Sequence, residues 1–194
     1  MTVSPALDKR FREAAAAAGL LDVAYDLAET PIGTLLVATT ERGLCRISYD
    51  PQPELEAESL ADTFGLRILR ATKPIEPVRR QLDEYFEGRR TTFELPIDLS
   101  HQAPFSRAVL NRLARVPYGQ VTTYGALAAE AHRPKAARAV GTVMNRNPVP
   151  IVLPCHRVVG ANGSLVGYGG GLERKRVLLA HEAEVVAGFR ATLW

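Results

Sequence analysis

Residues 147–158 read Asn147-Pro148-Val149-Pro150-Ile151-Val152-Leu153-Pro154-Cys155-His156-Arg157-Val158. Each proline fixes its own φ and biases the residue before it toward extended backbone. With apolar residues between the prolines, the stretch predicts a stiff, mostly buried arm that delivers Cys155 to one place. The reactive form of cysteine is the thiolate, so a thiol held this way needs a proton acceptor, and His156 is the nearest candidate. On a regular strand, neighbouring side chains point to opposite faces, so His156 reaches the sulfur only if the chain bends there or a water bridges the two. Glu182, in Ala180-His181-Glu182, is the candidate for the third member of a nucleophile, base and orienting-acid set. The alternative is a structural cysteine beside a surface histidine.

Outward from the arm, the second half is mostly helical. Phe105, Val109 and Leu113 share one face of a helix that ends before Pro117-Tyr118-Gly119. Thr123 is placed to cap a short helix running through Leu127 to Ala131. Arg133-Pro134 predicts the opening of another, with Pro134 at the tolerated first position, containing Lys135-Ala136-Ala137-Arg138-Ala139-Val140. Arg133 cannot accept the orphan N–H groups there. Two short helices joined by a tight turn, the second basic and small-faced, meet the requirements of a helix-turn-helix; a plain αα-hairpin is the alternative. The run Arg174-Lys175-Arg176 predicts a solvated helix face, with phosphate contact as a second use. His101, His132 and His181 take surface or packing roles.

The first half reads as strands with intervening helix. Leu35–Thr40 and Leu44–Tyr49 flank a turn at Arg42-Gly43 and predict a hairpin. Val78, Leu82, Tyr85 and Phe86 form one helical stripe stopped by Gly88. Phe93, Leu95, Ile97 and Leu99 alternate and predict a strand, pushed to an edge by Pro96.

Composition narrows the function classes. The chain has 194 residues, 46% hydrophobic and 23% charged, enough for one domain or two small ones. No apolar run is long enough to span a bilayer. Lys9, Arg10 and Arg12 precede five alanines, as in a targeting peptide, but Asp8 and Glu13 break the charge pattern. A helical N-terminal extension ending near Gly19, in a cytoplasmic protein, is expected instead. Two cysteines, Cys45 and Cys155, give neither a disulfide framework nor zinc spacing, and Cys45 reads as a small core residue. The net charge of +3 hides a step: residues 1–100 hold 12 Lys/Arg against 17 Asp/Glu, and residues 101–194 hold 12 against 4. That asymmetry points to an acidic partner for the second half, nucleic acid first among them.

The arm, the loop Gly167-Tyr168-Gly169-Gly170 and the closing Leu178-Leu179-Ala180-His181-Glu182 resemble the O6-alkylguanine-DNA alkyltransferases, also called methylated-DNA–protein-cysteine methyltransferases. Upstream, Val116-Pro117-Tyr118-Gly119, Thr123-Tyr124-Gly125 and Lys135-Ala136-Ala137-Arg138-Ala139-Val140-Gly141 extend the resemblance, which is dense over residues 104–183. It implies an α+β protein: an N-terminal antiparallel-sheet, ribonuclease H-like α/β domain, followed by a mostly helical domain with a winged-helix-like helix-turn-helix. The expected division is an extension (1–21), a sheet domain (22–100), a DNA-binding and alkyl-acceptor domain (101–186) and a tail (187–194).

The implied activity is DNA repair by direct reversal. The alkyl group of an O6-alkylguanine, with O4-alkylthymine as a further candidate donor, passes irreversibly to the Cys155 thiolate, once per protein and without cofactor or metal. The implied partner is double-stranded DNA, bound through the minor groove by a monomer with no membrane role. In the resemblance His156 is the base, acting through a water, Glu182 polarises it, and Asn147 braces the turn before the arm. Tyr124 donates its hydroxyl to N3 of the extruded base, and Arg138 fills the space left in the duplex. Lys135, Ala136, Ala137 and Gly141 lie along the DNA-facing helix. Tyr168, Gly169 and Gly170 close over the base, with the Gly169 N–H near O6, and the carbonyls of Cys155 and Val158 accept from the exocyclic amine. Extrusion follows from access, because O6 lies inside the stack. The chain departs from the family at Leu110, where many relatives carry tryptophan, and at Arg133. It also lacks the zinc ligands found in some members' N-terminal domain. Two other classes remain in view: a thiol hydrolase, which would turn over repeatedly, and a noncatalytic damaged-DNA sensor, which would not need the thiol.

Overall fold

The structure is a computed structural model and describes residues 4–191; the first three residues of the expected extension and the last three of the expected tail lie outside it. The Ser4 hydroxyl accepts from the Leu7 N–H at 3.3 Å, and Pro5 occupies the first turn, so α1 (Pro5–Ala17) has both start signals of a helix. Gly19, at φ +67°, lies just past its end.

Two compact units follow from the chain's own packing. The first ends at Glu84 and also takes in Glu94–His101. Its sheet has the order β3-β2-β1-β4, built from β1 (Val23–Ala28), β2 (Leu35–Thr40), β3 (Gly43–Tyr49) and β4 (Ile68–Arg70). β1–β2 and β2–β3 pair antiparallel, and β4 adds parallel to β1. The hairpin turns where Arg42-Gly43 predicts it. Gly43 sits at φ +129°, and a Cβ there would collide with the Pro96 carbonyl, so only glycine fits. One sheet face, carrying Val23, Leu36, Ala38 and Cys45, packs on Leu60 and Phe64 of α2 (Pro53–Phe64). Cys45 is the core residue expected of it: 2% exposed, its thiol donating to the Ala38 carbonyl at 3.3 Å.

The strand expected over residues 93–99 does not form. Ile97 makes only an isolated bridge to Leu44, with Leu44 N–H donating to Pro96 O and Asp98 N–H to Leu44 O. Pro96 has no N–H to extend a ladder. The backbone of Glu94 is instead satisfied by the Gln81 amide, which donates to its carbonyl at 3.2 Å and accepts from its N–H at 2.8 Å. Gln81 lies on α3 (Glu76–Phe86), whose last residues begin the second unit.

The second unit comprises Tyr85–Phe93 and the chain from Gln102 onward. α4 (Pro104–Leu113) buries Val109, Leu110 and Leu113. Thr123 caps α5 (Tyr124–Glu130), its hydroxyl accepting from the Ala126 N–H at 3.1 Å. α6 (Ala137–Asn145) completes the helical pair. It begins three residues later than Pro134 predicts, because Arg133–Ala136 closes as a turn of its own, Ala136 N–H donating to Arg133 O at 2.9 Å. No side chain caps α6, as expected from Arg133; its guanidinium lies instead over the Phe105 ring, 5.8 Å from the centroid. β5 (Thr122–Thr123) pairs parallel with β6 (Val158–Val159), and α7 (Leu172–Ala191) closes the unit. No helix among the described residues is long and apolar enough to cross a membrane.

Candidate active site

The arm after α6 is fixed from both ends. Asn147 Nδ2 donates to the Leu153 carbonyl at 2.8 Å, and its Oδ1 accepts from the Val149 N–H at 3.2 Å. One side chain thus clasps the bend of residues 147–153. Within that bend Ile151 has φ +73°. A β-branched residue in the left-handed region costs about 1–3 kcal/mol. Complete burial of Val149 and Ile151 holds it there.

At the end of the arm the chain bends. Cys155–Arg157 form one 3₁₀ turn, with the Arg157 N–H donating to Pro154 O and the Val158 N–H to Cys155 O. Val158 and Val159 then pair with Thr122 and Thr123. Thr123 also caps α5, whose first residue is Tyr124, so this two-residue ladder sets Tyr124 relative to the cysteine turn.

His156 and Glu182 are wholly buried, with His156 Nε2 2.8 Å from Glu182 Oε1. Burial alone would raise the Glu182 pKa; hydrogen bonds and charge from His156 and Arg157 outweigh it and hold the carboxyl down to about 2. Glu182 is therefore ionised and accepts only, which puts the imidazole hydrogen on Nε2 and leaves a lone pair on Nδ1. Nδ1 is buried and has no hydrogen-bond partner in the protein. Burial also pulls the His156 pKa below its usual value, with the Arg157 and Lys175 charges adding to it and Glu182 opposing. The result is a neutral imidazole with a free acceptor nitrogen, the state a general base needs.

Arg157 is an ion-pair partner of Glu182. Its Nε and Nη2 donate to Glu182 at 2.8–3.2 Å, and its Nη1 donates to the Val116 carbonyl at 2.6 Å. The Gly119 N–H donates to Glu182 Oε2 at 3.0 Å. Gly119 has φ +69°, and a Cβ there would lie 2.7 Å from Val186 Cγ2, so the approach of this backbone to α7 requires glycine.

The Cys155 thiol is 4% exposed. Burial pushes its pKa up to about 11, while Asn147, Lys175 and Tyr168 pull the other way. At neutral pH the thiol is therefore held protonated, so reaction requires a base acting during attack.

Lys175 departs from the solvated face expected of it. Lys175, Leu178 and Glu182 fall at i, i+3 and i+7 of α7 and are all fully buried. The ammonium donates to the carbonyls of Val158 at 2.6 Å, Val166 at 3.1 Å and Gly167 at 3.4 Å. Burial lowers its pKa, and the Cys155 sulfur opposes that. Lys175 thus ties the loop of residues 166–167 to the cysteine turn, beside the thiol. The seven-residue interval to Glu182 was the signal that it shares the buried face. Tyr85 is the other contributor not singled out: its hydroxyl donates to Glu182 Oε1 at 2.9 Å.

The remaining candidates fall in two groups. Tyr124 is half-buried, its hydroxyl donating to the Val166 carbonyl at 2.9 Å; burial first, and then the Cys155 charge, raises its pKa. Tyr168 is half-buried and Gly169 exposed; a Cβ on Gly169 would sit 3.2 Å from the Asn145 carbonyl. Gly170 is half-buried, its carbonyl accepting from Arg174 at 3.2 Å. Of these, Tyr124 and Tyr168 lie close enough to the Cys155 thiol to act on it. Lys135 and Arg138 are exposed, and Ala136, Ala137 and Gly141 half-buried, at and just before the start of α6. They form a basic, small-faced surface apart from the His156–Glu182 pair.

Two family models match the chain: the DNA binding domain of 6-O-methylguanine DNA methyltransferase over residues 104–184, and its ribonuclease-like domain over residues 23–99. The methylated-DNA–protein-cysteine methyltransferase of Mycolicibacterium paratuberculosis is 50% identical over 165 residues, covering 82% of this chain and 92% of that protein. The constitutive methylated-DNA–protein-cysteine methyltransferase of Bacillus subtilis is 39% identical over 147 residues, covering 75% and 86%. Among solved structures, the Mycobacterium tuberculosis O6-methylguanine methyltransferase superposes with a TM-score of 0.71 at 36% identity, covering 84% of this chain and 93% of that one. The Mycobacterium tuberculosis OGT in complex with DNA gives 0.72 at 35% identity, covering 84% and 94%.

Proposed function

The chain belongs to the 6-O-methylguanine DNA methyltransferase family, and from that premise we propose how its own residues repair DNA by direct reversal. The protein accepts the alkyl group of an O6-alkylguanine in duplex DNA onto a cysteine, and that cysteine is Cys155. The observation that carries this reading is the bend at Cys155–Arg157, where the residue after the thiol is a neutral, buried imidazole held 2.8 Å from an ionised carboxylate.

The step balances with side chains alone. His156 Nδ1 takes the thiol proton, directly or through a water, as the sulfur attacks the sp³ carbon on O6. The S–C bond forms, the C–O6 bond breaks, and its electron pair leaves with the guanine, which regains its N1 proton as the imidazolium gives its own back to water. Tyr124 exchanges the Val166 carbonyl for N3 of the base and stabilises the developing charge, and the Gly169 N–H does the same at O6. The second lone pair of the Val158 carbonyl and the Cys155 carbonyl accept from the exocyclic amine. Glu182 keeps the imidazole in the Nε2–H tautomer and stabilises the imidazolium. A thioether product has no leaving path, so one chain accepts one alkyl group.

The DNA-facing assignments rest on α6. Its half-buried alanines allow close approach to a groove, Lys135 offers a charge to phosphate, and Arg138 is the side chain that replaces the extruded nucleotide. Arg138→Ala is expected to slow repair of duplex O6-methylguanine by about tenfold or more, since extrusion costs a few kcal/mol. Transfer from free O6-benzylguanine, which needs no extrusion, should stay within about twofold. Equal losses on both substrates would remove Arg138 from the extrusion step.

Incubating the protein with a duplex containing O6-methylguanine, followed by peptide mass spectrometry, tests the whole reading. One methyl group on the peptide holding Cys155, saturating at one per chain, is the expected result. Repeated turnover would return the thiol hydrolase, and binding without an adduct would return the noncatalytic sensor. One chain supplies nucleophile, base and orienting acid, so we assign function to a monomer, acting in the cytoplasm on chromosomal DNA. The sheet segment 22–100 and the acceptor segment 101–186 are taken as the two domains, in line with the family-model ranges.

A further inference from the structure

Tyr85 is fully buried, on the helix that precedes the acceptor segment. Its ring packs edge-on against Phe86 and Tyr118, at centroid distances of 5.1 and 5.8 Å, and lies 5.5 Å from Phe93. A phenylalanine would fill that space equally well, so packing does not account for the hydroxyl. The hydroxyl donates at 2.9 Å to Glu182 Oε1, the oxygen that also meets His156 Nε2 and Arg157 Nη2, each at 2.8 Å. Donors converging on one carboxylate oxygen compete for its charge.

We propose that Tyr85 is a positioning residue of the proton relay: by sharing Glu182 Oε1 with His156, its hydroxyl weakens the carboxylate's hold on the imidazole and keeps His156 a neutral base. This deepens the reading of Cys155 and His156 as the alkyl-accepting pair and rests on it. Burial, with the neighbouring Glu182 charge, raises the Tyr85 pKa well above its usual value, so it remains a donor throughout the working range. The groups facing the relay are Glu182 and Lys175 from α7, Arg157 and Cys155 from the cysteine turn, and Tyr118. On the backbone side of Tyr85, His181 Nε2 lies 2.7 Å from its carbonyl.

The sign follows directly. Without the hydroxyl, Glu182 concentrates its charge on His156, the imidazolium is stabilised, and the His156 pKa rises. Tyr85→Phe in the full chain should move the His156 midpoint, read by ¹⁵N NMR, upward by about half a unit to one unit. The acid limb of the rate of transfer from free O6-benzylguanine should follow it, with the alkaline plateau within about threefold of wild type. Phe86→Leu, which loosens the same aromatic cluster and touches no hydroxyl, should lower the melting temperature and leave the midpoint in place. A Tyr85→Phe midpoint that stays or falls would overturn the proposal, as would an equal shift in Phe86→Leu. If the wild-type chain accepts no alkyl group, the reading of the reaction fails, and the NMR midpoints still decide whether Tyr85 governs His156.

Discussion

Cys155→Ala will leave no alkyl adduct on the protein after incubation with O6-methylguanine duplex, while duplex affinity stays within about twofold of wild type. The thiolate is the soft nucleophile suited to an sp³ carbon, so its removal should leave no measurable transfer. Cys45 offers no substitute: it is buried in the core of the first unit, and burial raises its thiol to about 12. The groups assigned to DNA, Arg138 and Lys135, lie at the exposed start of α6 and do not depend on the thiol. Removing one buried sulfur costs stability on the scale of an Ile→Val truncation, about 1 kcal/mol, so the variant should remain folded. Intact-mass spectrometry and a competition binding assay on the same preparation read both halves. An adduct at any other residue would displace Cys155 as the acceptor, and loss of binding together with transfer would mean that the thiol supports the DNA surface.

Glu182→Ala should be the most destabilising single change in the acceptor unit. It strands Arg157 Nε and Nη2, the Tyr85 hydroxyl and His156 Nε2 in a buried setting, and removes the acceptor of the Gly119 N–H. Removing one partner of a buried ion pair typically costs about 3–5 kcal/mol, which for a chain of this size lowers the melting temperature by about 10 °C. Alkyl transfer should fall by about a hundredfold or more, because the imidazole loses both its tautomer and its stabilising charge. Glu182→Gln, which keeps the shape and discards the charge, should recover part of the stability and little of the rate. The pH dependence has a definite sign. The folded pKa of Glu182, about 2, lies below its ordinary value of 4.5. Its contribution is therefore fully present above about pH 4.5 and is lost as pH falls toward 2. Denaturation at pH 7, 5 and 3 should show the gap between wild type and Glu182→Ala narrowing at the lowest value. A constant gap would show that ionisation is not what Glu182 contributes.

The legible parts of the sequence were those in which local chemistry and tertiary packing agree. Residues 147–158 carry their own rigidity, so the stiff arm could be anticipated, whereas the Asn147 clasp came only from the family resemblance and the bend at Cys155 was one of two alternatives. Thr123 announces α5 through its capping oxygen, and Gly43 announces the hairpin. The misread parts were those in which a distant side chain overrode a local pattern. Residues 93–99 alternate like a strand, yet the Gln81 amide takes the backbone groups that a neighbouring strand would have taken. Pro134 is acceptable at a helix start, yet Arg133–Ala136 closes first as a turn. Lys175 stands between two arginines and reads as solvated. Only its two-turn interval to Glu182, and three carbonyls supplied from elsewhere in the unit, make burial of an ammonium affordable. Tyr85 fits an apolar stripe so well that nothing local marks its hydroxyl.

The spacing of Lys175 and Glu182 on one helix limits how this gene can drift. Each added or deleted residue between them would rotate one side chain by about 100° relative to the other and swing either the cation or the anion out to water. Length changes should therefore be purged from codons 175–182, while the exposed turn at 161–164 tolerates them; a library of single-codon insertions, sorted by survival under alkylating stress, would display that contrast as a gap in the surviving positions.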